Sequence, residues 1–398
     1  MLKRRLSIFG STGSIGTNTL SLVDEAPDRF SVHALIAGNN HRRLAEQALK
    51  YRPDVVGLAD MSGFDELSSA LVGTGIRVVG GGEACDEIAS EPVDLVVAAI
   101  TGLAGLGSVM AAVSTGQTLA LANKESLVSA GEIVMQTAAR TGARILPLDS
   151  EHNAIFQCWA GWQGQKESVD SESANSIRHI CLTASGGPFR TTPLGEFSII
   201  TPEQAIKHPQ WSMGRKISVD SATMMNKGLE IIEAHWLFDI APKNIEVLVH
   251  PQVAVHGLVY FRDGSVIGQL GTPDMRTPIS YALEWPDRML WDPEPLDLVA
   301  LGRLEFYDVD PARYPCFVLA RQALVAGGTL PAVLNAANEV AVEAFLSHKI
   351  GFNAISDVVN DVMQADIDGD VKSHDAVVAL DAEARKRAEV CVRKSAVD

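Results

Sequence analysis

The chain has 398 residues, of which 46% are hydrophobic and 21% are charged, so we expect a folded protein of two or three domains. Its formal net charge of −16 argues against nucleic acid or a membrane as a partner, because nucleic acid and anionic membrane surfaces attract basic proteins. The five cysteines show no paired spacing and no export signal is visible, so we expect a reduced, cytoplasmic protein.

Short apolar runs alternate with helical patterns over the first 150 residues, which predicts a doubly wound, mostly parallel sheet. The predicted strands are Leu6–Phe9, Val32–Ala37, Val55–Leu58, Ile76–Val79, Val93–Ile100, Thr118–Ala122 and Ile145–Leu148. Residues 95–123 carry no charge, a length that could span a membrane. Glycines divide this stretch into a strand, a helix and a strand, so a buried βαβ unit explains it better.

A glycine loop, Gly10-Ser-Thr-Gly-Ser-Ile-Gly16, follows the first strand and opens a helix. In that context backbone amides can approach a pyrophosphate, which favours a dinucleotide over the alternative, a simple tight turn. The second strand is followed by Arg42 and Arg43, where an NAD enzyme usually has an acid. We therefore predict NADP; the alternative is that both arginines are a solvated helix start.

Two carboxylates, Asp149 and Glu151, directly follow the strand Ile145–Leu148. Alternate residues of an extended segment point the same way, so both oxygens can face one cation. The competing interpretation is that Asp149 caps a helix and Glu151 is a solvated acid in its first turn. By themselves these residues therefore allow two interpretations, a metal site or a helix cap followed by a solvated acid.

The segment 185–215 is rich in glycine and proline, which is typical of a hinged lid. His208 would bring positive charge to this lid, and Trp211 is an apolar group that closure over a ligand would cover. The alternative is a static surface loop that Trp211 anchors to the core.

Asn226, Lys227 and Glu230 are spaced so that all three share one face of a helix. On such a face a carboxylate can bind a metal while, one turn away, a cation and an amide bind a phosphate. The alternative is that the lysine and the glutamate form an ordinary surface ion pair. Asp149, Glu151 and Glu230 together would form an all-oxygen site for Mg²⁺ or Mn²⁺.

The fold class that we predict is α/β, with an N-terminal doubly wound Rossmann-like domain, a central α+β domain with a sheet, and a C-terminal helical bundle. The predicted limits are 1–149 for nucleotide binding, 150–284 for catalysis and dimerisation, 285–310 for a linker, and 311–398 for the helices. Strand-like runs within 246–270 form a sheet that could pair two copies, so we expect a homodimer. Asp381 is placed to cap the last helix.

Five motifs carry a resemblance to a known family, and the resemblance covers essentially the whole chain, including its helical end. They are the glycine loop 10–16, Leu-Ala-Asn-Lys-Glu-Ser (121–126), Leu-Pro-Leu-Asp-Ser-Glu-His-Asn-Ala-Ile-Phe-Gln (146–157), the segment 208–230 and Leu-Gly-Thr-Pro-Asp-Met-Arg-Thr-Pro-Ile (270–279). In these motifs the chain resembles the bacterial 1-deoxy-D-xylulose 5-phosphate reductoisomerases. The resemblance implies rearrangement of that sugar phosphate and reduction by NADPH to 2-C-methyl-D-erythritol 4-phosphate, in non-mevalonate isoprenoid synthesis.

The resemblance also implies a role for individual residues. The metal, Mg²⁺, Mn²⁺ or Co²⁺, would be held by Asp149, Glu151 and Glu230. The substrate would be contacted by Lys124, Ser150, Ser185, Ser221, Asn226 and Lys227, with His208 and Trp211 in the lid. The cofactor would be bound by Thr12, Gly13, Ser14, Ile15, Gly38, Asn40, Asn123, Glu125 and Gly214.

The chain departs from the common family pattern at two positions. Asn39 stands where many members have a lysine, so contact with the cofactor 2′-phosphate would pass to Arg42 or Arg43, and Ala184 replaces a common glycine. The chemistry could follow a retro-aldol route or a 1,2-shift. Two other functions stay open: a metal-free NADP-dependent semialdehyde dehydrogenase, which needs an acylatable cysteine, and a non-catalytic NADP-binding protein.

Overall fold

The structure, a computed structural model, describes residues 3–163, 176–207 and 214–395, and it divides into two compact units. The first unit contains Met1–Ser126, Glu132–Asp149 and Met275–Pro293, and the second contains Leu127–Gly131, Ser150–Asp274 and Glu294–Asp398. The chain therefore leaves the first unit after Ser126, after Asp149 and after Pro293, and it returns to this unit twice. The domain limits drawn from the sequence remain predictions.

The first unit is built on a seven-stranded sheet in the order β4-β3-β2-β1-β5-β6-β7. Its strands are β1 Arg4–Phe9, β2 Phe30–Ala37, β3 Val55–Leu58, β4 Arg77–Gly80, β5 Leu95–Ala98, β6 Thr118–Leu121 and β7 Arg144–Pro147. All neighbouring strands run parallel, which confirms the predicted doubly wound sheet. The strand order reverses between β1 and β5, and in such sheets ligands bind beyond the carboxyl ends at this point.

Helices connect these strands along the chain. They are α1 Ser14–Glu25, α2 His41–Tyr51, α3 Phe64–Ala70, α4 Gly82–Ile88, α5 Leu106–Ser114 and α6 Lys124–Thr141, with 3₁₀ turns at Met61–Gly63 and Leu103–Gly105. The uncharged stretch 95–123 forms β5, α5 and β6, so the predicted βαβ unit is confirmed. Its two strands are fully buried at Val96 and Leu119, which explains why it carries no charge. In the described residues no helix has the length and apolar character needed to cross a membrane.

The second unit contains a five-stranded sheet in the order β11-β10-β8-β9-β12. Its strands are β8 Ile177–Ala184, β9 Ile245–Val249, β10 Val255–Phe261, β11 Val266–Leu270 and β12 Tyr307–Asp308. Only β8 and β9 pair in parallel, and the other neighbours are antiparallel. Asp263 and Gly264 form the predicted turn between β10 and β11, where the Asp263 carboxylate accepts the Ser265 N–H and Gly264 has a φ of 93°.

The remaining helices follow β7 along the chain. They are α7 Ser150–Gln163, α8 Pro202–Ala205, α9 Arg215–Ala222, α10 Met225–Phe238, α11 Arg276–Glu284, α12 Leu298–Leu301, α13 Pro315–Ala326, α14 Leu330–Leu346, α15 Ala354–Met363 and α16 His374–Lys394, with 3₁₀ turns at Leu194–Ile199 and Pro242–Asn244. Of these, α11 belongs to the first unit and the others to the second. The last four form the predicted helical bundle, in which α14 is the most buried.

The prediction that Asp381 caps the last helix is wrong. The side chain of Ser373 accepts the Ala376 N–H and caps α16. Asp381 lies inside this helix, and its carboxylate accepts a 2.6 Å hydrogen bond from Nε of Arg385. Arg385 lies one turn further along α16 and pairs with this carboxylate. Asp381 therefore stabilises the interior of the helix and does not cap its N-terminus.

Candidate functional site

The glycine loop after β1 has the shape of a phosphate-binding turn. Gly10 has a φ of 85°, and a Cβ there would lie 2.4 Å from the Ala99 carbonyl oxygen. A Cβ on Gly16 would come equally close to the Gly10 carbonyl oxygen, so both positions require glycine. The tip of the loop, residues 12–15, is exposed or half-buried and leads into the first turn of α1. The four cofactor residues predicted here, Thr12, Gly13, Ser14 and Ile15, therefore stand at a helix N-terminus, where backbone N–H groups attract anions.

The neighbouring strand β2 ends in a second exposed segment. Gly38 is exposed with open space where a Cβ would be, and Asn40 caps α2 by accepting the Arg43 N–H. Arg42 and Arg43 are both exposed in the first turn of α2. Because β1 and β2 pair in parallel, these arginines and the glycine loop lie at the same end of the sheet. The geometry is consistent with the predicted 2′-phosphate contact, which stays a prediction.

The start of α6 holds three further predicted residues of the first unit. The buried Asn123 donates to the Ile100 and Gly102 carbonyls at 2.6 and 2.8 Å, which fixes the segment after β5. The buried Glu125 accepts from the same amide. Lys124 is 5% exposed, and its ammonium contacts the carboxylate of Asp149. The side chain of Asn123 therefore shapes the carboxyl end of the sheet, where Lys124 and Asp149 form an ion pair.

Two acidic side chains of the second unit converge on one positive charge. Glu151, in the first turn of α7, has its Oε1 2.6 Å from Nζ of Lys227 on α10. Glu230, one turn further along α10, contacts the same Nζ. The Lys227 side chain is 4% exposed and that of Glu230 1%. Oxygen atoms from two helices therefore meet around a single cationic group, which is the donor arrangement that a divalent cation needs.

The predicted helix face is present in α10. Asn226 and Lys227 both donate to the carboxylate of Glu230, as residues three and four positions apart can. Ser150 donates to the other oxygen of Glu151 at 2.6 Å. Each of these carboxylates thus has its oxygens held by polar neighbours, and the cluster is fixed in orientation.

The charges in this cluster shift each other's pKa. Burial by itself would raise the pKa of Glu151, but the charge and hydrogen bond of Lys227 and the hydrogen bond from Ser150 outweigh it and bring the pKa to about 2. Burial would lower the pKa of Lys227, and the charges of Glu151 and Glu230 raise it instead. Glu151 is therefore ionised and Lys227 protonated at neutral pH, as ligand and phosphate-binding roles require.

Close packing positions α10. Met224, the residue before this helix, has a φ of 58° and turns the chain sharply after α9. A Cβ on Gly228 would lie 2.4 Å from Cβ of Ala320, so glycine lets α13 approach α10 directly beside Lys227. The functional face of α10 is therefore held from behind by the helical bundle.

Ser185 and Ser221 are brought together by a glycine turn after β8. The Gly187 N–H donates to Oγ of Ser185 at 3.1 Å. A Cβ on Gly187 would lie 2.7 Å from the Ser221 carbonyl oxygen, and Gly187 has a φ of 67°. We call Ser185, Ser221, Asn226 and Lys227 the phosphate cradle. All four lie in the second unit, and their predicted contact with a phosphate remains a prediction.

Two buried histidines beside the acidic cluster were missed by the sequence analysis. His152 on α7 donates from Nε2 to the Glu230 carbonyl at 2.9 Å, and its Nδ1 lies 3.3 Å from a Glu233 oxygen. His256 on β10 interacts electrostatically with Glu151, and burial lowers its pKa. Helical spacing places Glu230 and Glu233 on one face of α10, but it does not connect His152 to that face. No spacing in the sequence connects His256 to Glu151.

Some predicted lid residues lie outside the described residues. These are His208 and Trp211, which fall in the segment 208–213. Gly214, predicted to contact the cofactor, is described: it is exposed and precedes α9, and its carbonyl accepts from Oγ of Ser218 at 3.0 Å. The predicted lid 185–215 is therefore described except at residues 208–213.

Family comparisons agree with the resemblance drawn from the motifs. Residues 6–131 match the family described as 1-deoxy-D-xylulose 5-phosphate reductoisomerase. Residues 145–238 match the C-terminal domain of the same enzyme, and residues 270–387 match a further family described as the DXP reductoisomerase C-terminal domain. The three matches follow one another along the chain and leave only short gaps.

Relatives and solved structures extend the likeness to the full length. A 1-deoxy-D-xylulose 5-phosphate reductoisomerase of Pseudomonas paraeruginosa is 50% identical over 385 residues, 96% of each chain. One from Nitrosomonas europaea is 49% identical over 97% of this chain and 93% of its own.

Two solved structures have the same fold over nearly the whole chain. The Zymomonas mobilis enzyme in complex with NADPH superposes with a TM-score of 0.91 at 44% identity, over 98% of this chain and 99% of its own. A reductoisomerase in complex with NADPH, fosmidomycin and magnesium gives 0.91 at 42% identity, over 98% of both chains. These likenesses confirm the predicted family and fold class. The chain belongs to the 1-deoxy-D-xylulose 5-phosphate reductoisomerase family.

Proposed function

We propose that this chain rearranges 1-deoxy-D-xylulose 5-phosphate and reduces the product with NADPH to 2-C-methyl-D-erythritol 4-phosphate. Its family membership supports this reaction. The observation in the structure that carries it is the convergence of Glu151 and Glu230 on the ammonium of Lys227, which is itself a member of the phosphate cradle. Such a site can hold a cation and an anion about one helix turn apart, as a substrate with a carbonyl at one end and a phosphate at the other requires.

NADPH is the proposed reductant. Related structures contain it, and the loop 10–16 offers amides at the start of α1 for its pyrophosphate. Arg42 and Arg43 supply positive charge near the end of β2, where a 2′-phosphate binds in enzymes of this fold. The side chain at Asn39 carries no charge, so we assign the phosphate contact to these arginines.

A divalent cation is the proposed second cofactor. Related structures contain magnesium, and the oxygen donors of Glu151 and Glu230 suit such a hard cation. Asp149, two residues before Glu151, would complete the ligand set. The bound cation supplies a Lewis acid that polarises the substrate carbonyl.

The protein's own residues would hold the substrate at both ends. Lys227 and Asn226 offer an ammonium and an amide to the phosphate, and Ser185 and Ser221 offer hydroxyls. Lys124 and Ser150 would contact the reacting end. Anchors at both ends keep the reacting atoms together, which matters most if the carbon skeleton is cleaved and rejoined as in a retro-aldol route. The lid 185–215 would exclude water during the reaction.

We further propose that the protein acts as a homodimer in the bacterial cytoplasm. β11 is an edge strand of the second sheet. Val266, Ile267 and Leu270 on this strand are exposed by 40% or more, although they are apolar. An exposed apolar edge strand is an aggregation risk unless another surface covers it, and a second copy would do so.

The competing function as a semialdehyde dehydrogenase requires a reactive cysteine. Cys85, Cys158, Cys181 and Cys316 are buried, and burial raises the pKa of Cys181 and Cys316 to about 12. A thiol with such a pKa is almost never the thiolate that attacks a carbonyl. None of these four buried cysteines therefore supports the semialdehyde dehydrogenase alternative, and the fifth, Cys391, lies partly exposed on α16.

The test is to add 1-deoxy-D-xylulose 5-phosphate to the protein and NADPH. The loss of the NADPH absorbance then measures NADPH oxidation. We expect activity with Mg²⁺ or Mn²⁺, none after EDTA, and recovery when the metal is returned, because the cation polarises the carbonyl. NADPH binding without oxidation in the presence of metal would favour a non-catalytic role. Full activity in EDTA would disprove the metal-dependent reaction.

A further inference from the structure

A buried tyrosine of the helical bundle holds the glycine turn that follows β8. The hydroxyl of Tyr314 donates to the Gly186 carbonyl oxygen at 2.8 Å. Tyr314 is 2% exposed, and burial raises its pKa to about 12. Its hydroxyl is therefore protonated at neutral pH and can donate this hydrogen bond. The two residues are 128 positions apart in the chain.

The turn that Tyr314 holds is unusual in its backbone. Gly186 and Gly187 have φ values of 81° and 67°, so two successive residues adopt conformations that favour glycine. A side chain at Gly186 would also meet Val249, because its Cβ would lie 2.9 Å from Cγ1 of that residue. Peptide units between two glycines rotate easily unless a contact fixes them. The Tyr314 hydrogen bond fixes the carbonyl between these two residues.

This turn touches both serines of the phosphate cradle. Gly187 donates its N–H to Oγ of Ser185, and it packs against the Ser221 carbonyl. A rotation of the Gly186–Gly187 peptide would move the Gly187 N–H away from Ser185. It would also change the contact with Ser221. The Ser185 hydroxyl is thus held by this peptide unit, which also lies against the backbone of Ser221.

The residue before Tyr314 secures the far end of the same turn. The guanidinium of Arg313 donates to the Phe189 and Thr192 carbonyls at 2.9 and 2.6 Å. It also lies over the Phe197 ring, 5.4 Å from the centroid. Arg313 and Tyr314 directly precede α13, so one short segment of the bundle holds the whole turn 186–192.

We propose that Tyr314 is a positioning residue for substrate phosphate binding, acting through the Gly186–Gly187 peptide on the hydroxyl of Ser185. This inference rests on the proposed function, because it takes the phosphate cradle as the site of the substrate phosphate. Tyr314 touches neither substrate nor cofactor in this proposal. Its effect is to hold the Ser185 hydroxyl in position for the anion.

The experiment compares Tyr314→Phe with Ser185→Ala and with Tyr260→Phe, a control on β10 in the same unit. Tyr314→Phe removes only the hydroxyl. We expect a roughly tenfold rise in KM for the sugar phosphate, the cost of one lost buried hydrogen bond. We expect a similar rise in the inhibition constant of inorganic phosphate, with kcat and the KM for NADPH unchanged. Tyr260→Phe should change none of these values.

A merely structural role would show a different pattern. In that case Tyr314→Phe lowers the melting temperature and leaves KM and phosphate inhibition as they are, which overturns the proposal. If Ser185→Ala does not weaken phosphate binding, the phosphate cradle itself is wrong. If Ser185→Ala weakens binding and Tyr314→Phe does not, only the positioning role is wrong. Should Tyr314→Phe not fold, Arg313→Gln releases the other end of the turn, and unchanged phosphate binding in it also overturns the proposal.

Discussion

Replacing Lys227 with methionine is expected to tighten metal binding and weaken substrate binding in the same variant. The Lys227 ammonium contacts Glu151 and Glu230, so a divalent cation must compete with it for the same oxygens. Removing the ammonium removes hydrogen bonds to charged groups of about 1.5–3 kcal/mol each, and Mn²⁺ affinity should rise roughly tenfold or more. Loss of a phosphate-binding charge should raise KM for the sugar phosphate by about 10²-fold. Mn²⁺ titration and steady-state kinetics measure the two effects.

The same variant makes a prediction about stability. Without metal, Lys227→Met leaves two carboxylates near each other with no ammonium between them, so its melting temperature in EDTA should fall well below that of the parent protein. Mn²⁺ should restore most of this loss, because the cation neutralises the same oxygens. Lys243→Met, at an exposed position in the same unit, serves as the control. Unchanged or weaker Mn²⁺ binding in Lys227→Met would mean that lysine and metal do not share these oxygens.

Glu230→Gln is expected to reduce kcat/KM by about 10³-fold, since a Lewis acid contributes several kcal/mol to a carbonyl reaction. Glutamine keeps the size of the side chain and still accepts a hydrogen bond from Asn226 or Lys227, so the fold should persist. It removes the negative charge that a divalent cation needs. Mn²⁺ affinity should therefore fall together with activity.

The control for this variant is Glu246→Gln, on the exposed side of β9. It changes the net charge by the same amount away from the cluster. We expect parental kinetics and metal affinity there. A Glu230→Gln protein that keeps normal Mn²⁺ affinity would remove Glu230 from the metal site, whatever happens to its activity.

The sheet of the first unit could be predicted because its physical causes are local. Each strand contains a short apolar run with a turn or helix on either side, and burial on both faces leaves few polar residues within these runs. The glycine loop is local too, since the steric need at Gly10 and Gly16 arises from close approach of neighbouring backbone. The prediction that Asp381 caps the last helix was wrong because the position of a carboxylate in the sequence does not show that Arg385 will pair with it.

Only part of the acidic cluster could be predicted from the sequence. Asn226, Lys227 and Glu230 are joined by helical spacing, so their shared face follows from geometry. Glu151 was grouped with Glu230 as a metal ligand in the sequence analysis, but the contact of Glu151 with Lys227 depends on how α7 packs in the second unit and was not predicted. The pairing of His152 with the Glu230 carbonyl and of Tyr314 with Gly186 joins segments 78 and 128 residues apart, and no periodicity records such contacts.

The central claim is that Asp149, Glu151 and Glu230 bind one divalent cation. The most direct test is a crystal of the protein grown with NADPH and Mn²⁺, with anomalous scattering used to locate the manganese. We predict one strong peak per chain, with oxygens of all three carboxylates about 2 Å from it. A manganese peak elsewhere would contradict the claim. So would a crystal form that keeps full catalytic activity although its three carboxylates hold no manganese.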